Sequence, residues 1–130
     1  MKGQRKVYIL LALCVLWSII IFIGCTLPPN QLPKWRFLQI PHIDKAAHFG
    51  FFFVQSVLLS LVFHFKTYKK TFLVILFSTL LAFVYGGAIE LMQSAYFHRT
   101  ADMYDLLADV LGGFTGATIY PFLSKLSGKS

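Results

Sequence analysis

The sequence predicts an all-α, polytopic membrane protein: a bundle of four transmembrane helices with both termini cytoplasmic. Three observations carry this. Of the 130 residues, 57% are hydrophobic and only 13% charged, against about 25% charged in an ordinary soluble domain. The apolar residues gather into four runs, each with about the 20 residues that cross a bilayer as a helix. The basic residues lie between these runs in short clusters, and the two sides share them unequally.

The first run, "VYILLALCVLWSIIIFIGC" at 7–25, follows a basic N-terminus, so a cleaved signal competes with a helix. "FIGC" even resembles a lipoprotein cleavage site at Cys25. Against that, Phe22 stands where Leu is usual, and the run exceeds a signal-peptide core of about 7–15 residues. A retained helix is expected. Cys14 and Cys25 fall on this one helix about 16 Å apart, beyond the roughly 7 Å reach of a disulfide. The loop "TLPPNQLPKWRFLQIPHIDK" holds four of the five prolines, and Trp35 suits an interfacial position. The second span is expected at about 46–65, the third at 71–93 and the fourth at 103–123. Length and spacing suit one domain over 1–130, without internal repeats.

Four spans put both termini on one side. A cytoplasmic N-terminus gives the inside Lys2, Arg5, Lys6, Lys66, Lys69, Lys70, Lys125 and Lys129. The outside receives Lys34, Arg36, Lys45 and Arg99. That excess agrees with the positive-inside rule. The net charge of +7 therefore reads as membrane orientation. No basic groove with interleaved aromatics points to nucleic acid.

All five acids, Asp44, Glu90, Asp102, Asp105 and Asp109, then fall in the outer half, level with Lys45, His48 and Arg99. Helical spacing aligns Asp44, His48 and Gln55 on one face of the second span and Glu90 with Gln93 on the third. Asp102, Asp105 and Asp109 share a face of the fourth. Gly112 and Gly116 extend that face as a GxxxG pattern, which lets another helix approach closely. A carboxylate near mid-bilayer costs about 2.5–3.5 kcal/mol on insertion scales, so intramembrane acids point first to function. Lys45, His48 and Arg99 are the cations placed to offset them. The structural alternative is a clamp in which Arg99 holds Glu90 and Asp102, while Asp102 caps the fourth helix with Asp105 in its first turn. His42, His64 and His98 read as loop or interface residues.

"DKAAHFGFFF" (44–53) resembles the D-K-x-x-H-F motif of the VanZ-like membrane proteins. "IELMQSAYFHRTADMYDLLADVLGGFTG" (89–116) resembles their E-x-x-Q, R-x-x-D-x-x-D and N-x-x-G-x-x-x-G block. The pattern falls on Asp44, Lys45, His48, Glu90, Gln93, Arg99, Asp102, Asp105, Gly112 and Gly116. Asp109 departs from it, standing where the family often has Asn. The resemblance implies a small protein of the bacterial inner membrane. The family's founding member is associated with resistance to teicoplanin, which acts outside the membrane on cell-wall precursors.

The favoured function is a polar site that binds the head group of an anionic lipid or lipid-linked cell-envelope molecule. Arg99 and Lys45 would meet phosphate, and Asp44, His48, Glu90, Gln93, Asp102 and Asp105 would complete the site. An enzyme acting on such a head group is the first alternative, with His48 as general acid or base and a divalent metal held by Asp and His as a variant. No serine or cysteine nucleophile is evident, and the metal spacing is generic, so no metal and no cofactor are expected. The second alternative is a structural or regulatory membrane partner.

Overall fold

The computed structural model describes residues 2–66 and 70–126, so Lys69 and Lys129 of the basic clusters lie outside the described residues. Within them the fold is all-helical, with no strand. Helix α1 spans Lys2–Thr26, α2 Ile43–Phe65, α3 Thr71–Tyr96, α4 Met103–Ala117 and α5 Tyr120–Leu126. Two short 3₁₀ turns, Pro29–Gln31 and Arg36–Gln39, carry the proline-rich connection between α1 and α2.

Helices α1, α2 and α3 are long and apolar enough to cross a membrane. The fourth run differs from the expected continuous span over 103–123. It breaks at Thr118 and Ile119 into α4, 15 residues long, and α5, 7 residues long. Pro121 supplies the reason. It has no N–H for the carbonyl of Ala117, and its ring crowds that carbonyl.

The outer surface differs from that of a water-soluble domain, and the interior mixes two apolar clusters with polar side chains. Large apolar side chains face outward along every long helix, among them Ile9, Leu16 and Ile23 on α1 and Phe72, Phe83 and Leu91 on α3. The interior holds His48, Gln55, Ser56, Ser60, Ser78, Glu90, Gln93, Asp105 and Asp109. Where lipid surrounds the helices, apolar burial supplies little drive for association. Close packing of small residues and interhelical hydrogen bonds supply it instead. Both are present. Helices α2 and α4 make the most extensive contact in the molecule. A Cβ added at Gly112 would strike the carbonyl oxygen of Phe49, and one at Gly116 the carbonyl oxygen of Phe53. The backbones are therefore as close as glycine allows. Beside them Ser56 Oγ donates to the carbonyl of Gly113 at 2.6 Å.

Helix α1 is tied on by side chains that donate to backbone. Trp17 Nε1 donates to Phe51 O at 2.9 Å, and the Tyr85 hydroxyl donates to Ser18 O at 2.6 Å. These bonds fix the helix ends: the C-termini of α1 and α3 and the N-termini of α2 and α4 meet at one end of the bundle. Lys66, Lys70 and Lys125 lie toward the other.

Candidate functional site

The charged end is built from the first turns of two helices and the last turns of two others. Helix α2 begins three residues earlier than the expected span, at Ile43, so Asp44 and Lys45 belong to its first turn. Helix α4 begins after Asp102, whose Oδ1 accepts the backbone N–H of Tyr104 at 2.8 Å. That N-cap satisfies one of the donors a helix start leaves unpaired.

Lys45 is the hub. Its Nζ lies 2.7 Å from Asp102 Oδ2, 3.0 Å from Asp105 Oδ1 and 3.4 Å from Asp44 Oδ2. One ammonium thus joins the starts of α2 and α4. It also holds the carboxyl of Asp102 below the usual carboxylate range, with help from the Tyr104 N–H.

One turn deeper, His48 Nδ1 and Asp109 Oδ1 share a hydrogen bond of 2.9 Å. The opposite ring nitrogen, Nε2, lies 3.8 Å from Asp105 Oδ2. His48 and Asp105 are 3% exposed and Asp109 0%. Gly86 on α3 makes room for Asp109, because a Cβ there would collide with its carboxylate. Glu90, also buried, accepts the backbone N–H of Asp102 through Oε2 at 2.8 Å. Its second oxygen, Oε1, and Asp109 Oδ2 are buried without a hydrogen-bond partner.

The expected clamp from Arg99 to Glu90 and Asp102 is not formed. Arg99 Nη1 donates instead to the carbonyl of Cys25 at 2.8 Å, and Gln93 Nε2 donates to the same oxygen at 2.6 Å. Among the described residues no carboxylate lies within ion-pair distance of Arg99. The last carbonyls of α1 lack helical partners, and these two side chains supply one. The turn that delivers Arg99 has His98 in the left-handed region, φ 52°, which folds the Arg99 N–H back onto Gln93 O.

Two sequence readings therefore change. Lys45, and not Arg99, pairs with Asp102, and Gln93 binds backbone. Cys25, which the sequence marks only for its thiol, anchors two of the expected site residues through its carbonyl. The roles that the sequence missed are backbone roles, which side-chain patterns do not mark. His64, read as a loop or interface residue, lies in the last turn of α2, buried at the far end with its ring 6.1 Å from that of Tyr120.

Residues 6–124 match the model of the VanZ/LLP1 family. The chain belongs to that family. The match spans all five helices, so the VanZ/LLP1 region includes both the charged end and the glycine-packed α2–α4 contact. An uncharacterized protein of Schizosaccharomyces pombe is 36% identical over 76 residues, 58% of this chain. The matched stretch covers 44% of the yeast protein's own length. No solved structure matches. A fungal relative of this VanZ/LLP1 chain means that the bacterial setting does not follow from the resemblance.

Proposed function

We propose that the chain is a multi-pass protein of the bacterial cytoplasmic membrane that binds the polar head group of a lipid or lipid-linked cell-envelope molecule. In this reading both termini are cytoplasmic, the broken α4–α5 segment completes the fourth crossing, and the charged end opens to the outer leaflet. The observation that carries it is the pair of unmet buried oxygens, Glu90 Oε1 and Asp109 Oδ2. A purely structural clamp would satisfy its members, since an unpartnered buried polar atom costs about 1–3 kcal/mol. Acceptors left open at the charged end suit a ligand that brings donors, such as a head-group hydroxyl or amine.

The balance of charge refines the ligand contacts. Five carboxylates share this end, and Lys45 is already held by three of them. Arg99 is half-buried and uses one guanidinium nitrogen on Cys25 O. Its remaining donors can meet a phosphate in the forked geometry that guanidinium favours. The phosphate would thus sit at Arg99 and the hydroxyl-bearing part toward Glu90. The founding member's association with teicoplanin resistance is compatible with an envelope precursor as ligand. Mass spectrometry of lipid carried through purification tests the reading. The wild type is expected to retain an anionic or lipid-linked species that Arg99→Gln loses, and equal retention by both would sink it.

A further inference from the structure

In the sequence a divalent metal held by Asp and His is only a variant of the enzyme reading, its spacing generic, and His48, Glu90 and Asp109 lie far apart along the chain. The fold brings them together. His48 comes from α2, Glu90 from α3 and Asp109 from α4, and one ligand atom from each lies within 4.8 Å of the others. All three are buried. The geometry points to a divalent-cation site formed by His48, Glu90 and Asp109 in the core of the charged end.

Four features support it. First, the unmet oxygens Glu90 Oε1 and Asp109 Oδ2 belong to two of the three residues. Each is a buried acceptor with no donor, and a cation would satisfy both at once. Second, if Nδ1 of His48 is the ligand, its other nitrogen faces Asp105 Oδ2 at 3.8 Å. A metal-bound histidine commonly meets an orienting carboxylate at that nitrogen. Third, Gly86 leaves the space that the Asp109 carboxylate occupies, so the carboxylate has backbone and not a side chain behind it. Fourth, Lys45 pairs with Asp44, Asp102 and Asp105 but not with Glu90 or Asp109, and a divalent charge would offset those two.

Donor atoms around an ion bound at about 2.0–2.2 Å stand roughly 3.4 Å apart. The three residues therefore close inward by on the order of 1 Å on binding, within reach of side-chain rotation. One imidazole and two carboxylates suit a first-row divalent ion such as Zn²⁺ or Mn²⁺ better than Mg²⁺, which favours oxygen ligands and keeps its waters. Three protein ligands leave at least one position open. The same two oxygens serve as head-group acceptors in the proposed function, so the two readings share an observation; lipid content and metal content are measured separately, and the failure of one is seen without the other.

The test is metal analysis of protein purified without chelator, followed by Co²⁺ titration of the chelator-stripped wild type. About one equivalent of Zn²⁺ or Mn²⁺ per chain is expected, or else saturable visible d–d absorption from one bound Co²⁺. Asp109→Asn and His48→Gln should lose at least about tenfold in affinity, in line with loss of a ligand, whereas Lys66→Ala at the far end should not. Should those variants fail to fold, Glu90→Gln, which keeps an oxygen for the Asp102 N–H, carries the comparison. No metal and no Co²⁺ absorption in the wild type would overturn the site. So would metal that persists undiminished in the ligand variants, which would mean it binds elsewhere.

Discussion

Asp102 carries three contacts at once: it caps α4, takes the shortest bond from Lys45 and gives its own N–H to Glu90. Two substitutions separate the first two. Asn keeps a capping oxygen and loses the charge; Ala loses both. Melting temperature should therefore fall in the order wild type, Asp102→Asn, Asp102→Ala. Equal values for the two variants would remove the cap from the account. The ion pair also sets a pH dependence. Asp102 has its pKa lowered in the fold by Lys45 and the Tyr104 N–H. Its contribution is fully present above the unfolded carboxylate value of about 3.9 and is lost as pH falls through the lower folded value. The wild type should thus lose more stability than Asp102→Asn on acidification below about pH 4, as thermal melts across that range would read. The cap was legible in "TADMYD", where an acid precedes a helix with a second acid in its first turn. The partner of Arg99 was not, because it is a backbone carbonyl and its approach depends on the left-handed turn at His98.

At the scale of elements, the α2–α4 contact rests on glycine. An added methyl at Gly112 or Gly116 meets a carbonyl oxygen of α2, so either Gly→Ala change should cost about 1–3 kcal/mol by overpacking. Gly50 lies on the same helix pair with nothing within 4 Å of an added Cβ. Gly50→Ala should be neutral or gain up to about 1 kcal/mol of helix propensity. Unfolding in detergent with steric trapping would compare the three, and equal effects would remove the close contact as their cause. The GxxxG spacing exposed this face in the sequence, because it continued the stripe of Asp102, Asp105 and Asp109. Pro121 marks the break before α5, but the apolar run that continues past it hides that signal. Helix starts were less legible: helical spacing puts Asp44 on the face of His48 and Gln55, but an apolar run marks the span only from about residue 46, and α2 begins at Ile43.

Across the whole molecule, among the described residues, the long helices present large apolar side chains outward and enclose both apolar clusters and many polar side chains, which suits a lipid surround. The chain's hydropathy made the helical class plain from sequence alone, and two separated motifs in order pointed to the family. What sequence could not supply was the meeting of His48, Glu90 and Asp109, since three helices contribute one residue each. The proposed topology makes a separate prediction. Cys14 and Cys25 are buried, so single cysteines at Asn30 and at Lys66 can be labelled in a background that reacts little. A membrane-impermeant thiol reagent applied to intact cells should reach Asn30→Cys and spare Lys66→Cys; the reverse pattern would invert the orientation. The central claim, that the charged end serves a ligand and not only itself, is tested most directly by native mass spectrometry of the wild type beside Glu90→Gln, with melting temperatures recorded in parallel. Gln at this position keeps an oxygen for the Asp102 N–H, so the account predicts a variant that melts close to the wild type but loses a specifically bound lipid. A wild type without bound lipid, together with a variant that melts far lower, would contradict it and leave a structural clamp.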